Sequence, residues 1–183
     1  MMFELELRAK ILDKEFFLKK LNEFGCVLSD EVCQEDLIYT HDKVSPIVRI
    51  RCENNCNILT VKTFQENRNT AKEYEVVFDN YENMKEILDQ FNFNKPIKLT
   101  KIRRTTILGD FSLMFDFISE LGYFVEIESL KNEKTNEQSI YQAMKSFLLV
   151  LGIPESSITG KKYFEMLMDI RNSGLDTINI GTN

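Results

Sequence analysis

Charged residues alternate with apolar ones along seven stretches of this chain, and the clearest opens it: Phe3-Glu4-Leu5-Glu6-Leu7-Arg8-Ala9-Lys10-Ile11. Successive side chains of a strand point to opposite faces, so Glu4, Glu6, Arg8 and Lys10 share one face. The layout recurs at Val48-Arg49-Ile50-Arg51, Val61-Lys62, Glu73-Tyr74-Glu75, Lys101-Ile102-Arg103, Phe115-Asp116-Phe117 and Val125-Glu126-Ile127-Glu128. A sheet face that carries both carboxylates and cations has the chemistry to hold a polyanion together with its metal.

Eight strands must position these groups. Alternation and β-branched or aromatic content place them at about 2–11, 32–40, 47–52, 58–64, 72–78, 98–108, 111–117 and 123–129. Short polar turns such as 53–57 and Gly109-Asp110 suit antiparallel hairpins. Four helices interrupt the strands, at 14–24 with Asp13 as cap and Gly25 as stop, 81–91 with Asn80 as cap, 136–151 ending at Gly152, and 161–171. Each has one apolar face that needs an apolar surface to cover. The pattern reads as α+β: an antiparallel sheet closed into a barrel with helices packed outside. No repeat, low-complexity tract or linker divides the chain, so residues 1–171 form one domain, and 172–183 form a loosely held tail.

With 183 residues the chain can bury a proper core. A net charge of −6 argues against a general nucleic-acid binder but says nothing about a local cationic pocket. Charges at Glu4, Glu6 and Arg8 precede any apolar run that would make a signal peptide, and no segment reaches the ~20 apolar residues of a membrane span. The expectation is a cytoplasmic protein that works on neither membrane nor nucleic acid. Cys26, Cys33, Cys52 and Cys56 lack the spacing of a paired zinc site and read as reduced thiols. His41, the single histidine, falls in a loop with Asp42 and Lys43 and is assigned no role.

Periodicity leaves the direction of the charged face open. Half-buried antiparallel sheets usually put apolar residues inside and charges in water. Two features pull the other way. Apolar helices need an apolar outer sheet face, which Leu5, Leu7, Tyr74, Val76, Phe115, Phe117, Val125 and Ile127 would supply. Arg49 with Arg51, and Lys101 with Arg103, are like-charged pairs that repel unless a counter-ion compensates them.

In this order the charged strands resemble the CYTH family, the triphosphate tunnel metalloenzymes, which include class IV adenylyl cyclases and thiamine and inorganic triphosphatases. Glu4-Leu5-Glu6-Leu7-Arg8 is similar to the family's Glu-x-Glu-x-Lys signature. Arg49 and Arg51, Lys62, Glu73 and Glu75, Lys101 and Arg103, Asp116, and Leu121-Gly122-Tyr123-Phe124-Val125-Glu126-Ile127-Glu128 follow its later segments. Lys162-Tyr163 stands where the family has Ser-Tyr in a final helix. Two positions depart from the pattern: Arg8 replaces the signature lysine and Lys162 the serine. Arginine keeps the charge but presents a planar fork in place of a compact ammonium.

The resemblance implies an eight-stranded tunnel with its charges inward. Arg8, Arg49, Arg51, Lys62, Lys101 and Arg103 would then hold a triphosphate. Glu4, Glu6, Glu126, Glu128 and Asp116 would hold Mg²⁺ or Mn²⁺, with Glu73, Glu75, Lys162 and Tyr163 as further candidates. Glu6, Arg8 and Glu126 are the residues assigned to catalysis. The implied substrate is ATP or another small-molecule triphosphate, and the implied assembly is a homodimer. The activity that follows first is a class IV adenylyl cyclase, a phosphorus–oxygen lyase forming cyclic AMP and pyrophosphate. A nucleotide, thiamine or inorganic triphosphatase comes second, and a non-catalytic polyphosphate- or nucleotide-binding module third.

Overall fold

The computed structural model describes residues 2–41, 46–64, 70–132 and 136–173. Asp42 and Lys43 of the expected loop, and the tail from 174 onward, lie outside the described residues. Among the described residues nine strands make one antiparallel sheet: β1 Met2–Lys10, β2 Val32–Tyr39, β3 Ile47–Glu53, β4 Cys56–Phe64, β5 Thr70–Phe78, β6 Ile97–Leu108, β7 Phe111–Ile118, β8 Gly122–Asn132 and the two-residue β9 Ile158–Thr159. Their order is β5-β4-β3-β2-β6-β7-β8-β1-β9, and pairing of β5 with β1 closes the first eight into a barrel. The closure is short, joining Glu4 to Ala71 and Leu5 to Thr70.

The helices are α1 Lys14–Glu23, α2 Tyr81–Asp89, α3 Glu137–Val150 and α4 Tyr163–Asn172. Side-chain oxygens of Asp13 and Asn80 accept from the backbone N–H groups of Phe16 and Asn83, both at 2.9 Å, which satisfies donors that a helix start leaves open. Asn136 caps α3 in the same way at Ser139.

The apolar residues face outward, under the helices. Leu5, Leu7, Leu113, Phe115, Val125 and Ile127 from β1, β7 and β8 pack against Phe17 and Leu21 of α1 and Met144 and Leu148 of α3. A second outer core joins Leu37, Tyr39, Val48 and Ile50 of β2 and β3 to Leu88 of α2. These cores fix the strands' other faces toward the bore, so the charges point in. Tyr74 and Val76 do not join them. Among the described residues no helix covers these two, and they are 59% and 53% exposed.

A third apolar cluster sits inside the barrel. Ile38, Ile47, Leu99, Ile118 and Phe124 converge across one end of the bore, where Tyr163, Phe164 and Leu167 of α4 pack onto them. Inward-facing positions of a small barrel are normally filled by side chains. Here they fill one end only, so the bore is a blind tunnel with α4 as its stopper.

Gly152 ends α3 at φ +82, a left-handed conformation that costs a residue with a Cβ about 1–2 kcal/mol. A Cβ there would also meet the Phe16 ring, which is 44% exposed and has room to swing away. Gly152→Ala should therefore destabilise the fold by about the backbone cost. Denaturant unfolding checks this, and an unchanged midpoint would contradict it.

Candidate active site

The blind tunnel encloses a cavity of ≈ 240 Å³, and its wall carries seven cations and seven carboxylates. Strand pairing decides which of them meet. Glu6 lies opposite Glu128 and Arg8 opposite Glu126 across β1 and β8, while Asp36 lies opposite Arg51 across β2 and β3. Asp116 faces Arg103 across β6 and β7.

Most of the cations are already engaged. Arg8 donates from Nε to Glu126 Oε1 at 2.6 Å, from Nη2 to Glu6 Oε1 at 2.5 Å and from Nη1 to the Lys161 carbonyl at 2.8 Å. Its guanidinium also stacks 4.3 Å above the Tyr163 ring. Arg103 forks onto Asp116 at 2.6 and 2.5 Å and reaches Glu126 Oε2 as well. Arg51 forks onto Asp36 at 2.7 and 2.9 Å. Lys62 is held by Glu4 at 2.8 Å, Glu73 at 2.9 Å and Glu6 at 3.3 Å. Lys162, at the cap of α4, donates to both Glu6 oxygens at 3.2 Å, and the Tyr163 hydroxyl donates to Asp116 at 3.0 Å.

Two cations are under-compensated. Arg49 Nη2 donates to the Thr60 hydroxyl at 3.0 Å and lies 3.5 Å from Glu75, but its buried Nε has no partner. Burial and the neighbouring Arg51 push its guanidinium down from the ordinary arginine range. Lys101 is 4% exposed, lies 3.8 Å from Asp116 and makes no hydrogen bond to the described residues. Burial, with Arg103 beside it, pushes its ammonium down to about 8. These are the places where an incoming anion gains most.

The carboxylates divide as sharply. Burial would raise Glu6, but Arg8, Lys162 and Lys62 hold it at about 2. Glu126 has one oxygen turned to Arg8 and the other to Arg103, and despite burial the two guanidiniums hold it well below the usual range. Glu128 makes no hydrogen bond or ion pair to the described residues. Burial, Glu4 and Glu126 push it well above the usual carboxylate range. Oxygens of Glu4, Glu6 and Glu128 approach within 4.8 Å of one another. Mg²⁺ and Mn²⁺ favour such hard oxygen ligands, and an unpaired carboxylate beside two others is the charge excess that a divalent ion relieves. The residues present therefore fit the metal.

Every residue assigned to the site from sequence lines the tunnel except Asp116, which is fully buried and holds Arg103 and Tyr163 of the lining. Asp36 and Thr60 were missed. Asp36 shares its inward parity with Gln34 and Ile38, and its role is visible only once the register sets it opposite Arg51. His41 stacks on Phe93 at 4.4 Å, away from the tunnel.

The CYTH domain family matches residues 2–163. This chain belongs to the CYTH family. A Methanocaldococcus jannaschii protein with the provisional name adenylate cyclase is similar to this CYTH chain, at 26% identity over 172 residues covering 90% of this chain and 98% of that protein. A Pyrococcus horikoshii protein of known structure superimposes with TM-score 0.78 at 25% identity, over 91% of this chain and 98% of its own. A Hippeastrum protein, provisionally called an adenylyl cyclase and described as having a dominant triphosphatase activity, shares the fold at TM-score 0.60 and 16% identity, over 100% of both chains. CYTH proteins are metal-dependent enzymes that act on small-molecule triphosphates. Among the described residues no helix is long and apolar enough to cross a membrane.

The depressed Lys101 ammonium would make polyanion binding in the tunnel pH-dependent. An unfolded lysine titrates near 10.4. Between pH 8 and that value the unfolded chain holds more protons, so this group's contribution to stability rises with pH through the window. A bound polyanion favours the charged form, so tripolyphosphate binding at about pH 8.5 should take up protons. Calorimetry in two buffers of different ionisation heat measures the uptake, which Lys101→Arg should abolish. Equal heats for the wild type in both buffers would contradict the assignment.

Proposed function

We propose that this chain is an adenylyl cyclase of the CYTH family, converting ATP to cyclic AMP and pyrophosphate with Mg²⁺ or Mn²⁺. The observation that carries the reading is the juxtaposition of two unmet demands in one bore. Glu4, Glu6 and Glu128 converge on one wall, and the under-compensated Arg49 and Lys101 stand on strands of the other. Anion binding alone would be served by the cations, and the unpaired Glu128 would oppose it. Carboxylates and triphosphate become compatible when a divalent ion lies between them.

Phosphoryl transfer asks mainly for positioning and charge stabilisation. Arg49 and Lys101, the under-compensated cations, would gain most from the phosphate chain. Arg51 and Arg103, pre-oriented by Asp36 and Asp116, would add donors as the chain settles. Glu126 sets the directions of Arg8 and Arg103, so these guanidiniums meet developing negative charge without rearranging. The ribose 3′-oxygen forms its bond to the α-phosphorus, the bond from that phosphorus to the β-phosphate bridge breaks, and the hydroxyl proton leaves with pyrophosphate. When bound, the divalent ion supplies positive charge that polarises the phosphoryl oxygens and acidifies the attacking hydroxyl.

The similarity to the Methanocaldococcus jannaschii protein favours the cyclase. A triphosphatase is the second reading, because the same tunnel fold carries that activity in the Hippeastrum protein. Product identification after incubation with ATP and Mn²⁺ separates them. Cyclic AMP with pyrophosphate supports the cyclase, ADP with phosphate the hydrolase, and no turnover a binding module.

Two variants test the division of the carboxylates. Glu128→Gln should raise the Mn²⁺ concentration for half-maximal turnover at least ~10-fold. Glu126→Gln should lower turnover roughly 10²–10³-fold at saturating Mn²⁺ without moving that midpoint, as for other preorganised contacts. A shifted midpoint in Glu126→Gln would make Glu126 a metal ligand, and a melting curve beside each titration keeps stability apart from catalysis.

A further inference from the structure

Beside the tunnel mouth lies a second cavity of ≈ 600 Å³, between the β6–β7 turn and the first half of α3. Glu4 and Glu128 line both spaces, so the two meet at the carboxylate trio. The outer cleft has a different chemistry from the tunnel. Its polar lining includes Asp110, Ser112 and Ser139, its apolar lining includes Phe111 and Ile140, and no described lining residue is a lysine or arginine. Hydroxyls and a carboxylate beside apolar surface accept a neutral, ring-bearing group with hydrogen-bond donors, and offer nothing to a phosphate.

Size and closure fix which part of a substrate goes where. Pockets for drug-sized ligands run to about 300–1,000 Å³. The tunnel, at ≈ 240 Å³, is too small for a whole nucleoside triphosphate, while the outer cleft falls within that range. The far end of the bore is shut by Ile38, Leu99, Phe124 and α4, so an attached organic group stays on the mouth side. Following the strand registers inward, Arg49 and Lys101 occupy the ring of side chains next to that apolar floor, and Glu4 and Glu128 the ring nearer the mouth. The terminal phosphate carries the greatest charge of the chain, and the deepest under-compensated cations suit it best.

We infer that the triphosphate binds with its terminal phosphate against the closed end and its organic group, a nucleoside or comparable neutral ring system, in the cleft between the β6–β7 turn and α3. The inference rests on the tunnel holding a triphosphate, as proposed above. It sets the phosphorus that bears the organic group nearest to Glu4 and Glu128, where a cyclase needs its reacting centre, and it makes Asp110, Phe111 and Ser139 the residues that determine specificity.

Ala143 lies on the cleft wall outside the tunnel and is exposed, so a larger side chain there narrows the cleft without entering the core. The test compares wild type and Ala143→Phe by calorimetric titration with α,β-methylene-ATP and with tripolyphosphate, in Mg²⁺. A melting curve confirms that the variant is folded. The expected result is binding of the nucleotide weakened about tenfold or more with tripolyphosphate binding unchanged. Unchanged binding of both, or equal losses in both, would overturn the cleft assignment while leaving the tunnel reading in place. Failure of the wild type to bind tripolyphosphate would overturn the two together.

Discussion

Ion pairing inside the barrel is the constraint on which the remaining structure depends. Moving an isolated carboxylate or ammonium from water into a low-dielectric interior costs on the order of 20 kcal/mol in the idealised limit, and several kcal/mol after relaxation. A bore walled by seven cations and seven carboxylates, with Asp116 buried behind them, can exist only if these groups neutralise one another. The forks of Arg51 on Asp36 and of Arg103 on Asp116, and the carboxylate cage of Lys62, do this without substrate. The outer cores under α1, α2 and α3 then hold the strands with their charged faces inward.

A wall whose charges nearly cancel has a consequence for function. Triphosphate alone would add negative charge beside seven carboxylates, and a divalent ion alone would add positive charge beside seven cations. Each would offset the charge that the other introduces, so the two would be coupled, and by linkage each would raise the other's affinity by the same factor. Under the proposed reading, the exceptions to this near-neutral lattice are where each would go. Glu128 lacks a hydrogen-bond or ion-pair partner among the described residues, on the side proposed for the metal, and Arg49 and Lys101 are under-compensated on the side proposed for the phosphates. Lys162 and Arg8 add a further refinement, since both hold Glu6 and both connect it to the start of α4. The helix that closes the tunnel is thereby tied to a residue of the carboxylate trio.

All eight barrel strands were legible from alternation, because a two-residue period survives whichever face is buried. The direction of that period was not, and only the resemblance of the ordered charged motifs turned the charges inward. What stayed hidden depends on register and tertiary position. The pairing that makes Asp36 a partner of Arg51, the bridging of two guanidiniums by Glu126 and the isolation of Glu128 all need strands aligned across the barrel. Tyr74 and Val76 match their buried counterparts in pattern, yet both stay more than half exposed. The two-residue β9 carries no periodic signal at all. The apolar floor was equally invisible, since Ile38 and Leu99 read like any core residue until α4 is seen to close on them.

The claim at the centre is that the bore is matched to a chain of phosphates and not to single anions. Melting temperature in tripolyphosphate, compared with orthophosphate at matched ionic strength and with Mg²⁺ present, tests it most directly. A ligand bound only by the folded state raises stability in proportion to the logarithm of its concentration over its Kd. A tunnel that engages Arg49, Lys101 and their neighbours together predicts a clearly larger, concentration-dependent rise with tripolyphosphate. Equal shifts for the two anions would contradict it.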